Sequence, residues 1–171
     1  KLRCLLLASP EHLNAWLAAN GFLGFASAEP KGLEEITPQT KAFALDPNRV
    51  YLNVKGRFPR GTVAAAERQA LRAEIAAKLG ALEHEGRKVV RSVFLAEEIY
   101  EGPLTDAGPD LLVLGETGFD MKGSVKKKEI FGRTSLQGMH TWDDAFFLAS
   151  RDHGPDLAIE DLAPILLQDL K

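Results

Sequence analysis

The sequence predicts an α/β layered fold, a sheet with flanking helices, and three observations predict it. Short runs rich in Val, Leu, Phe and Tyr at 42–45, 50–54, 93–95 and 111–114 have strand length and are bounded by turn residues. Between them, residues 62–83 carry apolar side chains at helical spacing. No internal repeat is present, so strands and helices alternate as layers around one core.

Taken in order, Cys4 to Ala8 is an apolar run, too short for a signal peptide, that reads as a buried strand or as a segment pairing with chain before residue 1. Ser9-Pro10-Glu11 then has the form of a helix start. The hydroxyl can cap free N–H groups, proline suits the first turn, and the acid complements the positive dipole end. Gly21 supplies a left-handed stop, which predicts a helix over 10–20 with Trp16 on its buried stripe. Residues 26–40 read as a surface connection. Asp46-Pro47-Asn48 is a turn between two strands. Residues 55–61 form a basic, glycine-flanked loop. Ala64, Leu71, Ile75, Leu79 and Leu82 make one buried helical stripe, with Glu67, Arg68, Arg72, Glu74 and Lys78 on the other faces. His12 and His84 fall on helices among charged neighbours, facing solvent. Asp110 turns the chain into the strand at 111–114. Residues 115–139 hold five glycines and the Lys126-Lys127-Lys128 run, and read as a long loop with exposed lysines. Residues 145–149 are apolar throughout and of strand length, and 159–170 predict a closing amphipathic helix that carries Pro164 in its first turns.

Bulk composition narrows the function classes. At 171 residues the chain is long enough for a single well-buried domain over 1–171. A net charge of −3 gives no general reason to expect a nucleic-acid partner, and no apolar run is long enough to cross a membrane. Cys4 is the only cysteine, which excludes an internal disulfide and a cysteine-cluster metal site and fits a reducing, cytoplasmic compartment. There is no phosphate-cradling loop, dinucleotide fingerprint or nucleophile-elbow motif.

Several segments, in order, resemble the type I phosphodiesterase/nucleotide pyrophosphatase family of the alkaline phosphatase superfamily. Residues 13–23, containing Asn14, Trp16, Leu17 and Gly21, resemble the helix that follows that family's central Asp-His-Gly metal motif. Tyr51-Leu52-Asn53-Val54-Lys55-Gly56-Arg57, running on to Gly61, resembles a second family segment. Glu97-Glu98-Ile99-Tyr100-Glu101-Gly102-Pro103 with Pro109-Asp110-Leu111 resembles a third. Gly138-Met139-His140 with residues 145–150, and Asp161-Leu162-Ala163-Pro164 in the closing helix, complete the set.

The resemblance covers nearly the whole chain. It implies a partial alkaline-phosphatase-like fold and a parent protein that hydrolyses phosphodiesters or nucleotide pyrophosphates with a pair of divalent metals, usually zinc. Most metal ligands and the Thr or Ser nucleophile of the family precede the helix on which this chain starts. The chain therefore reads as the C-terminal portion of such a hydrolase, inactive alone, whose partners are the missing N-terminal catalytic half and a small phosphoester substrate. A dimer through a sheet edge left exposed by the missing half is a further expectation.

His140 matches the family's late metal-ligating histidine. On residue type alone it reads as a surface-loop histidine rather than a ligand, and Thr141 and Asp144 depart from the pattern around it. Arg57 and Arg60 flank an apolar Phe-Pro pair in a glycine-bounded loop. Guanidinium forks match phosphate oxygens, so these are the substrate-binding candidates, against the alternative of a solvated loop. Asp152-His153-Gly154 repeats the letters of the central metal motif at the wrong place in the order, and reads as a coincidental loop. The rival readings are a non-catalytic binding or assembly domain and another superfamily member, such as a phosphoglycerate mutase or sulfatase relative.

Overall fold

A computed structural model describes residues 9–132, 146–154 and 156–169 of the chain. The chain divides into two compact units, 1–139 and 140–171.

The first unit is an α/β layered structure. Its main sheet is antiparallel, with strands in the order β2 (Ala42–Asp46), β3 (Arg49–Leu52), β7 (Leu111–Gly115), β6 (Val90–Leu95). Asn48, at φ 69°, closes the β2–β3 hairpin where the Asp-Pro-Asn turn predicted it. Directly opposed residues share a sheet face. Ala42, Ala44, Val50, Leu52, Leu111 and Val113 therefore line one side, all without solvent exposure. Helix α1 (Leu13–Ala19) packs on β2, and α2 (Arg68–Gly80) packs on β6 and β7. Leu71, Ile75 and Leu79 are the buried stripe of α2, as the periodicity requires, and Trp16 is buried on α1.

On the opposite face Phe43 stacks on Tyr51 at 6.3 Å, and Phe58 meets Phe43 edge-on at 5.0 Å. The loop 55–61 thus covers that side of the β2–β3 pair. Gly61 is required there, because a Cβ would collide with the Val54 carbonyl oxygen.

Several local readings differ from the structure. Ser9–His12 is not a helix start but strand β1, parallel to β8 (Phe119–Lys122). The ladder to β8 and the bond from His12 N to the Ile130 carbonyl (2.8 Å) occupy the main chain that the helix would have used, so α1 begins at Leu13. The stop at Gly21, φ 75°, is where the sequence places it. Strand β8 itself lies inside the segment read as loop; Phe119 and Met121 point inward and are buried. His84 is not on a helix. It belongs to a hairpin of β4 (Glu83–His84) and β5 (Arg87–Lys88), turned by Glu85 and Gly86 at φ 51° and 71°, and its ring stacks on Phe131 at 3.9 Å. Arg72, expected on an outer face, is buried.

The β2 edge of the main sheet is closed by a side chain. Asn14 Nδ2 donates to the Ala44 carbonyl (2.8 Å) and the Gly123 carbonyl (2.7 Å), and Asn14 Oδ1 accepts from Ala44 N (2.8 Å). Gly123 lies so close to β2 that a Cβ would come within 2.8 Å of the Asp46 carbonyl oxygen.

In the second unit, 146–149 is irregular and Phe146 and Leu148 are largely exposed, not the strand that the apolar run suggested. Hydrophobicity without a pairing partner does not make a strand. Helix α4 (Leu162–Asp169) closes the described chain after a 3-10 turn at Ile159–Asp161, with Pro164 in its first turn. Asp161 Oδ2 accepts from Ala158 N (2.8 Å) to start it.

Candidate functional site

Arg57 sits at the tip of the loop that follows β3. Gly56 takes φ 82°, and the N–H groups of Arg57 and Phe58 return to the Val54 carbonyl at 3.2 and 3.3 Å, which fixes the turn. The guanidinium points back into the protein. Its Nη1 donates to Asp110 Oδ2 at 2.7 Å, its Nη2 donates to the Gly108 carbonyl, and it lies over the rings of Tyr51 (5.6 Å) and Phe58 (5.2 Å).

Asp110 is fully buried and accepts two more bonds, from Leu52 N (2.8 Å) and from Arg68 Nε (2.7 Å). Thus Asp110, expected to turn the chain into its strand, ties β3, the loop 55–61 and α2 to the start of β7. Next to it Arg72 grips Glu97 with a two-pronged pair at 2.6 and 2.7 Å, which lowers the Glu97 pKa and satisfies a buried guanidinium. Glu97 opens α3 (Ala96–Ile99), whose start is capped by Glu98 Oε2 accepting from Leu95 N (2.7 Å).

Arg60, three residues on, is separate from this cluster. Its Nη1 donates to the Glu34 carbonyl (2.7 Å) and, more weakly, to the Ile36 carbonyl (3.4 Å). Asn53 holds the Arg60 carbonyl at 2.9 Å. Arg60 edges a cleft of about 320 Å³ with walls of Leu33, Ile36, Phe43, Leu45 and Phe58. The two arginines are therefore placed differently: Arg57 is engaged by Asp110 and Gly108, whereas Arg60 is exposed at a cleft mouth.

His140, together with Gly138 and Met139, lies outside the described residues. Asp152 Oδ1 accepts from Gly154 N at 2.9 Å, a local turn in which His153 faces Phe147 at 6.2 Å. Among the described residues no three His, Cys, Asp or Glu side chains come together to hold a metal ion. His140, the one ligand that the resemblance assigns to this chain, is not among those residues, so no chemical step is derived through a metal.

Two residues that the sequence reading placed on a helix are buried with side-chain atoms that have no hydrogen-bond partner. Glu11, on β1, has no exposure and neither carboxyl oxygen has a hydrogen-bond partner. Burial pushes its pKa up from 4.5 to about 8. His12 is not solvent-facing on a helix but buried at the end of β1, with Nδ1 unpartnered. Its pKa is lowered, chiefly by burial and then by Lys127 and Lys122, against the pull of Glu129. Their signal in the sequence was slight: an acid and a histidine beside Leu13 read as polar positions of a helix.

The other charged feature, Lys126-Lys127-Lys128, is exposed on its loop, as expected, and faces Lys31, Glu29 and Glu129 across a shallow cleft. No helix among the described residues is long and apolar enough to cross a membrane. No protein-family model, no curated protein and no solved structure matches this chain.

Proposed function

We propose that this chain is the C-terminal portion of a cytoplasmic, metal-dependent phosphoester hydrolase of the phosphodiesterase/nucleotide pyrophosphatase type. In this reading it shapes the substrate cleft, supplies His140 to one metal of a divalent pair, and is inactive alone. The partner is the N-terminal catalytic half of the same protein, and the substrate is a small phosphoester.

The observation that carries the reading is the meeting of separate family-like segments. Arg57 of the Lys-Gly-Arg segment bonds Asp110 and Gly108 at the Pro-Asp segment, 53 and 51 positions away. The Glu-Glu-Ile-Tyr segment joins through Glu97 and the neighbouring Arg72. These stretches, recognised separately along the chain, meet within the first unit, which supports the reading.

The test is hydrolysis of a nitrophenyl phosphodiester with added zinc. It is run on the 171-residue chain and on the product of its full reading frame, with and without His140→Ala. The expected result is turnover by the longer protein, loss of it in His140→Ala, and none from the 171-residue chain. Metal-dependent turnover by the 171-residue chain itself sinks the proposal. The apolar cleft at Arg60 favours a second reading, a non-catalytic binding domain; a reading frame that starts at Lys1 selects it.

A further inference from the structure

We propose that the cleft beside Arg60 is a binding site for a small aromatic anion, with the ring against the apolar walls and a phosphate or carboxylate on the guanidinium. This goes beyond the hydrolase reading and does not depend on it, since it needs neither a metal nor turnover. The argument starts from size and lining. A volume of about 320 Å³ lies at the lower end of small-molecule sites, which run from about 300 to 1,000 Å³ and are mostly apolar with a few placed polar groups.

The walls are held from several directions. Phe58 is wedged edge-on against Phe43, and its loop is closed by the bond from Gly61 N to the Phe58 carbonyl (2.9 Å). Leu33 sits on a short 3-10 turn, Leu33–Glu35, and Ile36 is pinned by a bridge to Phe25. A cleft that is already shaped loses little freedom when a ring enters it.

The polar contact is equally prepared. Bonds from Nη1 to the Glu34 and Ile36 carbonyls anchor the Arg60 head at the cleft mouth, while Nη2 and Nε have no partner among the described residues. A guanidinium held by one nitrogen presents the others as a fixed fork, the geometry that phosphate and carboxylate accept. The Glu34 carboxylate, the other charge beside the cleft, is turned to the backbone at Gly32. Asn53 also lines the cleft, but its free oxygen is sealed from solvent. An uncharged ring lacks the partner for Arg60, and inorganic phosphate lacks the apolar part.

The test is a methyl NMR titration of the full chain, in chelator, with 1-naphthyl phosphate, 1-naphthol and inorganic phosphate in turn. Saturable shifts at the methyls of Leu33, Ile36 and Leu45 are expected with 1-naphthyl phosphate. About tenfold weaker binding of 1-naphthol is expected, the scale of one charge-assisted hydrogen bond, and none of phosphate alone. Arg60→Gln should bring 1-naphthyl phosphate down to the affinity of 1-naphthol. Leu45→Glu, at a half-exposed wall position, keeps the anchored arginine and sets a carboxylate beside the bound anion, so it should abolish binding of 1-naphthyl phosphate in a folded protein. Equal affinity for the two naphthyl compounds, or undiminished binding in either variant, overturns the proposal.

Discussion

Two carboxyl groups in the first unit are sealed from solvent to the same degree and live in opposite circumstances. Asp110 receives a backbone N–H and two guanidinium donors, all within 2.8 Å. Glu11 receives nothing. Burial alone therefore does not decide what an acid does to a fold; the donors brought to it do. Asp110 works as an ionic tie between segments distant in sequence. Glu11 is kept only by being neutral, and its stability contribution depends on pH. Asn14 is a third case, an uncharged polar group with both donors used and its oxygen engaged.

Removing the tie breaks the comparison most severely. Asp110→Ala strands Arg57 and Arg68 and leaves the Leu52 N–H unmet. It should cost about 4 kcal/mol in urea unfolding followed by circular dichroism. A loss under about 1 kcal/mol would show that the two arginines find water instead.

Glu11 sharpens it from the other side. Its folded pKa lies above the unfolded value, so the folded protein binds more protons. The contribution is therefore complete below about pH 4.5, falls as pH rises toward 8, and is level above that. At pH 8 the wild type should stand about 4 kcal/mol below its own low-pH reference on this account, and Glu11→Met should erase that slope. Parallel pH profiles of the two proteins between 5 and 8 would refute the assignment.

Asn14→Ala comes next. It opens three bonds at a buried edge and should lower stability by about 2 kcal/mol, with faster amide exchange at Ala44. The smallest effect belongs to Glu97→Gln, since Glu97 is half-exposed: less than about 1 kcal/mol, shrinking further in high salt.

What was legible in the sequence was what local rules settle. The α2 stripe of Leu71, Ile75 and Leu79 obeys a period set by the helix itself, and the turn at Asn48 is decided by residues within it. Ser9-Pro10-Glu11 misled because a good local helix start lost to pairing with a strand some 110 positions later. Strand β8 was hidden because its alternation, Phe-Asp-Met-Lys, is only four residues long and sits among glycines. The burial of Arg72 depends on Glu97, 25 positions away, which no periodicity reports. At the candidate site, Arg57 and Asp110 both stood out as motif positions, while the bond between them did not. Arg60 looked equivalent to Arg57 by spacing alone, and only the fold separates the inward arginine from the one at the cleft. The burial of Glu11 was hidden, because an acid after Ser-Pro reads as the first turn of a helix, where it would complement the dipole.

The amide of Asn14 has a consequence for the life of the protein in a crowded solution. A bare strand edge is a template on which an unrelated extended chain can add itself, rung by rung. At Ala44 the rung is already taken, by a side chain that imitates a neighbouring strand for the length of one residue and then stops. The sheet ends there as a zip ends at its stop. One neutral side chain, with the Phe22 carbonyl on Ala42 N beside it, thus finishes a sheet edge that would otherwise recruit.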